Sequence, residues 1–177
     1  MDKIKLRDGR IATIGFLSEK DGVRELQRFI NGLVKESTYL LYDRRMTLKE
    51  EKEWKRKNLA AFRKRDGYAL VARVDGKLAG TSNAHREKFK ARDNITLAIA
   101  IAKRYRGIGL GEALLRLNIK TAKRFFRPKP RSIYLSVFGP NKAARSLYRK
   151  LGFREFAVFP GWFLHRGKYE DQVFMKL

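Results

Sequence analysis

Two hydrophobic periods run through this chain, one of about two residues and one of three to four. Residues 11–16 (IATIGF) follow the Asp8-Gly9 turn and read as a strand. From Ser18 onward, Val23, Leu26, Ile30 and Leu33 recur at intervals of three and four residues, which predicts an amphipathic helix opening at Ser18. Thr47 and Glu50 have the spacing of a capping box, so a second helix starts there and runs through Trp54 and Phe62 towards Asp66-Gly67. Residues 68–74, 77–86 and 95–101 then read as three strands, the first two joined by the hairpin turn Asp75-Gly76.

Leu110, Ala113, Leu114, Leu117, Thr121 and Phe125 restore the helical period over 110–125, and Pro128 and Pro130 mark the end of that helix. A strand at 133–138, a short helix at 141–151 and strands at 153–159 and 171–176 complete the pattern. The order β-α-α-β-β-β-α-β-α-β-β predicts an α/β (α+β) fold with a mixed, mostly antiparallel central sheet flanked by helices. With 177 residues, no internal repeat and no low-complexity linker, residues 1–177 are expected to form one domain.

Composition changes this picture by exclusion. There is no cysteine, which removes disulfides, thiolate metal sites and a cysteinyl acyl intermediate. His85 and His165 are the only histidines, and their separation is not a metal-binding spacing, so no metal is expected. Apolar runs fall short of the roughly 18 residues of a membrane span, and the charged N-terminus MDKIKLRDGR does not resemble a secretory leader, so no membrane partner and a cytoplasmic location are expected.

Charge is the least ordinary feature: 42 Lys and Arg against 18 Asp and Glu give a net charge of +24. Such a field attracts anions and disfavours polycationic substrates. Between Lys103 and Arg131 ten basic residues face a single acid, Glu112, and Arg116, Lys120, Lys123 and Arg127 recur on one helical face opposite the apolar stripe. That ridge suits a nucleic acid or an acidic protein, and it equally suits a solvated helix face.

The densest chemical signal is residues 99–115, IAIAKRYRGIGLGEALL, where a buried strand runs through Gly107, Gly109 and Gly111 directly into a helix. Glycines at such a junction let main-chain N–H groups approach an anion, and the helix dipole favours negative charge, so the turn is suited to phosphate. No lysine follows the glycines as a Walker loop requires, and the G-x-G-x-G spacing after an antiparallel meander is not a dinucleotide fingerprint.

Arg106, Gly109 and Gly111 fill the pattern [QR]-x-x-G-x-[GA], and in NKAARSLYRKLGF the residues Asn141, Ala144, Leu147, Tyr148, Gly152 and Phe153 follow some thirty residues on. In both segments the chain resembles the GNAT acetyltransferase superfamily, with looser likeness at LVKEST, TLKEEKEW and GKYEDQVFM. The resemblance implies acetyl-coenzyme A as cosubstrate. It places Ile99, Ala100 and Ile101 along its thioester-bearing arm, Arg106, Gly107, Ile108, Gly109, Leu110 and Gly111 around its pyrophosphate, and Asn141 and Ala144 at the second contact segment.

The resemblance also implies direct attack by an amine, with main-chain amides near Ile101 polarising the carbonyl and Tyr148 as general acid towards the departing thiolate. An ordinary phenol pKa of about 10 lies near that of a thiol, about 8.5. Some relatives carry a carboxylate early in the corresponding strand; here Ile95 and Thr96 stand there, with Asp93 before them, and no base is assigned. Glu36, Glu87 and Asp171 are candidates on the amine side. The stretches 33–46 and 161–169 are expected as acceptor loops, with Tyr39, Tyr42, Trp162 and Phe163 as lining. The expected partner is an amine-bearing protein or small molecule, and a homodimer is compatible with the pattern. The alternative is a nucleic-acid- or ribosome-associated binding module on the same scaffold with little catalysis.

Overall fold

The computed structural model describes residues 1–36 and 39–177. Eight strands form one sheet: β1 (Asp2–Lys5), β2 (Ile11–Phe16), β3 (Gly67–Val74), β4 (Lys77–Arg86), β5 (Asn94–Ile101), β6 (Ser132–Phe138), β7 (Arg154–His165) and β8 (Lys168–Lys176), in the order β1-β2-β3-β4-β5-β6-β8-β7. Among the described residues four α-helices flank it: α1 (Val23–Lys35), α2 (Leu48–Lys64), α3 (Leu110–Phe125) and α4 (Lys142–Lys150). Every strand pair is antiparallel except β5 with β6, as the mixed, mostly antiparallel expectation requires.

β3 is buried on both faces, which is why its sequence is nearly continuous in apolar residues instead of alternating. Ala69 and Val71 pack with Leu26 of α1 and Trp54 and Leu59 of α2 on one side. Tyr68, Leu70 and Ala72 share the larger core on the other side with Leu110, Leu114 and Leu115 of α3. Thus α1 and α2 cover one face of the sheet while α3 is packed against the opposite one.

Three element boundaries differ from the sequence expectation. The charged N-terminus contains a strand, β1, which pairs with β2 from Asp2↔Ile14 to Lys5↔Ile11; it is only four residues long, and three of them are charged. Helix α1 begins at Val23, because Asp21 holds the chain in a turn by accepting from the Ser18 N–H (2.8 Å) and hydroxyl (3.0 Å). The stretch expected as an acceptor loop at 161–169 is the tip of a hairpin. There β7 runs to His165, Arg166 and Gly167 turn with φ of 51° and 76°, and β8 starts at Lys168. The capping box of α2 is present, with Glu50 N–H donating to Thr47 Oγ1 (3.2 Å) and Thr47 N–H to Glu50 Oε2 (2.8 Å).

Candidate active site

The parallel pair β5 and β6 is joined only from Asn94–Thr96 to Ser132–Tyr134. Beyond those residues β5 stays with β4 as far as Ile101↔Gly80, while β6 follows β8 as far as Phe138↔Gln172. The sheet therefore forks. Glu87 N–H donates to Asn94 O (2.9 Å) and Ala102 N–H to Ala79 O (3.0 Å), so the even-numbered residues of β5 exchange hydrogen bonds with β4. By the alternation of an antiparallel ladder, Leu97, Ile99 and Ile101 turn their main-chain groups into the fork. Ala100 turns its own towards Thr81 and has none to offer a ligand there.

At the open end of the fork the chain passes through Arg106 to the glycine turn. Gly107 and Gly109 have φ of 79° and 89°, the left-handed region in which a side chain is strained. Gly109 is the N-cap of α3 and supplies no capping side chain. Among the described residues no acceptor takes the amide N–H groups of 107–112. Helix α4, by contrast, has its own cap, Asn141 Oδ1 accepting from Ala144 N–H at 3.2 Å. Uncapped amides at the positive end of a 16-residue helix form a cradle for an anion, and a pyrophosphate fits the chemistry of that donor set. Gly111 lies inside the helix, where a Cβ would sit 3.6 Å from Leu147 and 3.7 Å from Ile101; its place is at the packing of α3 on α4 and β5.

The Arg106 side chain spans the fork's upper edge. Its Nε donates to Ile101 O (2.9 Å) and its Nη2 to Glu36 Oε2 (2.8 Å). Glu36, expected on the amine side, is therefore ion-paired beside the end of β5. Glu87 lies at the closed end, where it accepts from the Tyr134 hydroxyl at 2.7 Å; burial and this carboxylate push the phenol up to about 12. Asp171 sits within β8 and accepts from Gly161 N–H (2.9 Å), holding the irregular middle of β7. These three carboxylates are not brought together.

Tyr148 lies on α4 in the main core, 6% exposed, with its ring 6.1 Å from that of Phe153. Its hydroxyl has no hydrogen-bond partner among the described residues, and burial alone pushes its pKa up to about 12. On the far lip of the fork, Phe138 at the end of β6 stacks on Phe163 (4.0 Å between ring centres) and meets Tyr39 at 5.5 Å; Tyr39 also meets His165 at 4.8 Å. Of the four aromatic residues expected as acceptor lining, Tyr39 and Phe163 thus converge. Trp162 packs outward on Phe159 (5.4 Å), and burial raises the pKa of Tyr42, with Glu51 and Glu50 of α2 adding to it. Ser37 and Thr38 of the expected acceptor stretch lie outside the described residues.

Sequence reasoning missed three supports of the site. At Gly80 a Cβ would stand 2.6 Å from Ile101 Cδ1 and 3.0 Å from Ala100 O, so only glycine lets β4 pass beneath the end of β5. Arg7 N–H donates to Ile108 O (3.1 Å), and its side chain lies against Gly109, so the segment after β1 buttresses the turn. Fully buried Asn118 ties α3 to the sheet: Nδ2 donates to Ser82 Oγ (2.6 Å) and Asn83 O (3.2 Å), while Oδ1 accepts from the Tyr68 hydroxyl (2.7 Å). An isolated Asn on an apolar helix face was the one available signal for this network.

A forked sheet with an uncapped helix at its mouth is a geometry suited to a phosphate-bearing ligand entering between two parallel strands. The chain belongs to the acetyltransferase (GNAT) family, whose model matches residues 34–153. It is 33% identical over 98 residues to an N-alpha-acetyltransferase of Sulfurisphaera tokodaii, covering 50% of this chain and 58% of that protein. It is 28% identical over 107 residues to the L-amino acid N-acetyltransferase AaaT of Escherichia coli, covering 60% and 65%. The chain thus spans about three fifths of these curated relatives. A crystal structure of a GNAT-family acetyltransferase from Streptococcus pneumoniae superimposes with a TM-score of 0.82 at 28% identity, over 94% of this chain and 98% of that one.

Proposed function

We propose that this protein transfers the acetyl group of acetyl-coenzyme A to an α-amino group, that of a polypeptide N-terminus or a free amino acid. The observation that carries the reading is the combination of the fork after Thr96 with the uncapped amides of 107–112. Those amides and Arg106 would hold the pyrophosphate, and the fork-facing main chain of Leu97, Ile99 and Ile101 would hold the arm that bears the thioester. Bound acetyl-coenzyme A supplies the acetyl group already activated, so the chain needs no nucleophile of its own, in keeping with the missing cysteines.

The residues then have two tasks. Main-chain N–H groups of β5 in the fork polarise the carbonyl that is attacked. The unpartnered Tyr148 hydroxyl donates to the sulfur as negative charge gathers there. No carboxylate is assigned to take the amine proton; the α-amine of a polypeptide has a pKa of about 7.7–8.0, so near neutral pH roughly a tenth of such an acceptor arrives uncharged. The names of the two curated relatives support an α-amine over a lysine side chain, and the Tyr39–Phe138–Phe163 cluster supplies an apolar wall beside it.

The test is a panel of acceptors incubated with acetyl-coenzyme A: peptides with free N-termini, N-blocked peptides with one lysine, free amino acids and polyamines. Release of coenzyme A and a mass gain of one acetyl group are expected with free α-amines. Transfer only to the blocked lysine peptides or to polyamines refutes the acceptor class, and no transfer to any of them refutes the activity.

A further inference from the structure

In the basic stretch from Lys103 to Arg131, Arg106 belongs to the proposed acetyl-transfer site, whereas the cations from Arg116 onward are not used by it. The stretch holds ten basic residues and one acid, and Arg116, Lys120, Lys123, Arg124 and Arg127 are all exposed on one side of α3 and its end. Two observations separate it from a merely solvated helix face. On α2 four of the seven cations have an acid within 4.0 Å among the described residues: Lys55 and Arg63 reach Glu19, and Arg56 and Lys57 pair with Glu53. On α3 the single acid, Glu112, is taken by Arg7, Arg116 and Lys150, and among the described residues no carboxylate lies within 4.0 Å of Lys120, Lys123 or Arg124. Such uncompensated repulsion is costly to a folded chain unless an anion relieves it.

The second observation concerns what the ridge lacks. No large hydrophobic residue between Phe89 and Phe156 is exposed. Protein interfaces are anchored by buried aromatic and aliphatic groups and are poor in lysine, so an acidic protein has nothing here to dock on beyond charge. Single-stranded nucleic acid needs aromatic platforms for its bases, and none is exposed on the ridge itself. A phosphate backbone held in a duplex needs only cations at intervals. From Arg116 to Arg127 the ridge is roughly 16 Å long at 1.5 Å per residue, the length of about five phosphate steps of one strand of a duplex. Beside its start lies a depression of about 520 Å³ that runs from the glycine turn at Ile108 and Gly109 to Arg116 and Lys120, with Lys5, Arg7, Glu112 and Lys150 on its walls.

We infer that the α3 ridge is a docking surface for the phosphate backbone of double-helical nucleic acid. The ridge offers only cations along a helix face, without the Asn, Gln or acidic side chains that would complete a base-reading set, so contacts to phosphate dominate and binding is expected to depend little on sequence. The ridge adjoins the glycine turn at its Arg116 end and extends away from it to Arg127, and the inference stands whether or not the protein acetylates α-amines.

The experiment titrates the full chain against a fluorescein-labelled 20-base-pair duplex DNA by anisotropy across a series of KCl concentrations, with and without saturating acetyl-coenzyme A. Three proteins are compared: wild type, Lys120→Gln/Lys123→Gln/Arg124→Gln, and a control on α2 of equal charge change, Lys52→Gln/Lys57→Gln/Arg63→Gln. Wild type and control are expected to bind with the same steep salt dependence. The α3 variant should flatten the slope of log K against log salt by about 2.7, that is, about 0.9 for each of the three phosphates no longer neutralised, with its thermal unfolding unchanged. Any of four results overturns the proposal: no binding by wild type, equal weakening by both triple variants, displacement of the duplex by acetyl-coenzyme A, or equally tight, equally variant-sensitive binding of poly-glutamate.

Discussion

Burial of Tyr148 changes what a phenol can do at this site, and a pH–rate profile reads the change directly. An ordinary phenol with a pKa of about 10 would be half ionised at pH 10, whereas one raised to about 12 keeps its proton in about 99% of molecules there. The same shift makes full proton transfer to a thiolate of pKa about 8.5 uphill by about 3.5 units, roughly 5 kcal/mol. Tyr148 therefore acts as a hydrogen-bond donor to the developing charge, with the proton following late. A hydrogen bond to a charged group contributes about 1.5–3 kcal/mol, so Tyr148→Phe should lower kcat roughly 10- to 150-fold with little effect on the KM for acetyl-coenzyme A. Initial rates of coenzyme A release with an α-amine peptide, taken from pH 6 to 10.5, should rise through about pH 8 as the amine loses its proton and then stay level. The variant should trace the same shape at a lower height. A descending limb centred near pH 10 in the wild type and missing in the variant would refute the burial argument; an unchanged kcat in the variant would refute the role.

The remaining predictions concern the scaffold around that group. Gly109→Ala places a side chain at φ of 89°, a strain of about 1–2 kcal/mol that a shift of the turn would relieve, so the KM for acetyl-coenzyme A should rise about 5- to 30-fold; an unchanged KM in initial-rate measurements counts against the cradle. Asn118→Ala removes both donated bonds and the acceptor for Tyr68, but Tyr68 keeps the main-chain oxygen of residue 118 at 2.9 Å. The loss should therefore be about 2–4 kcal/mol in urea unfolding, and less than about 1 would mean the network is slack. Glu51 is 6% exposed, and burial raises its carboxyl to about 7. A raised folded-state pKa gives stability that is full below the unfolded value of 4.5 and is lost as pH rises through about 7. Glu51→Gln should then stabilise the fold at pH 8 by about 1–2 kcal/mol, discounted for solvent screening, and have little effect at pH 5; equal effects at both pH values would exclude an ionisation origin.

How much of this was legible in the sequence depends on the range over which each feature is determined. The helix at 110–125, the capping box at Thr47 and the Asp75-Gly76 hairpin are written within a few residues, and all three are where the pattern puts them. The four residues of β1 carry too little alternation to be read alone and become a strand because β2 offers a free edge. The 161–169 stretch looks like a loop because its glycine and exposed aromatics break the period, yet pairing with β8 and the Asp171–Gly161 hydrogen bond carry it as strand to His165.

The site divides along the same line. The glycine turn is a local backbone device, so its residues declare themselves: positive φ at Gly107 and Gly109 leaves few alternatives to glycine. The carboxylates are a tertiary matter. Glu36, Glu87 and Asp171 carry no neighbour in the sequence that foretells Arg106, Tyr134 or the Gly161 amide; the first two are half-buried, where a carboxylate without a partner is costly, and exposed Asp171 meets its amide through the pairing of β7 with β8. The fork itself has no motif. It exists because β5 follows β4 to Ile101 while β6 follows β8 to Phe138, so the gap between them is a difference between two registers, which no single segment encodes. A residue pattern can thus name the turn that grips the anion, whereas the opening that admits the rest of the ligand has to be read from how the strands part.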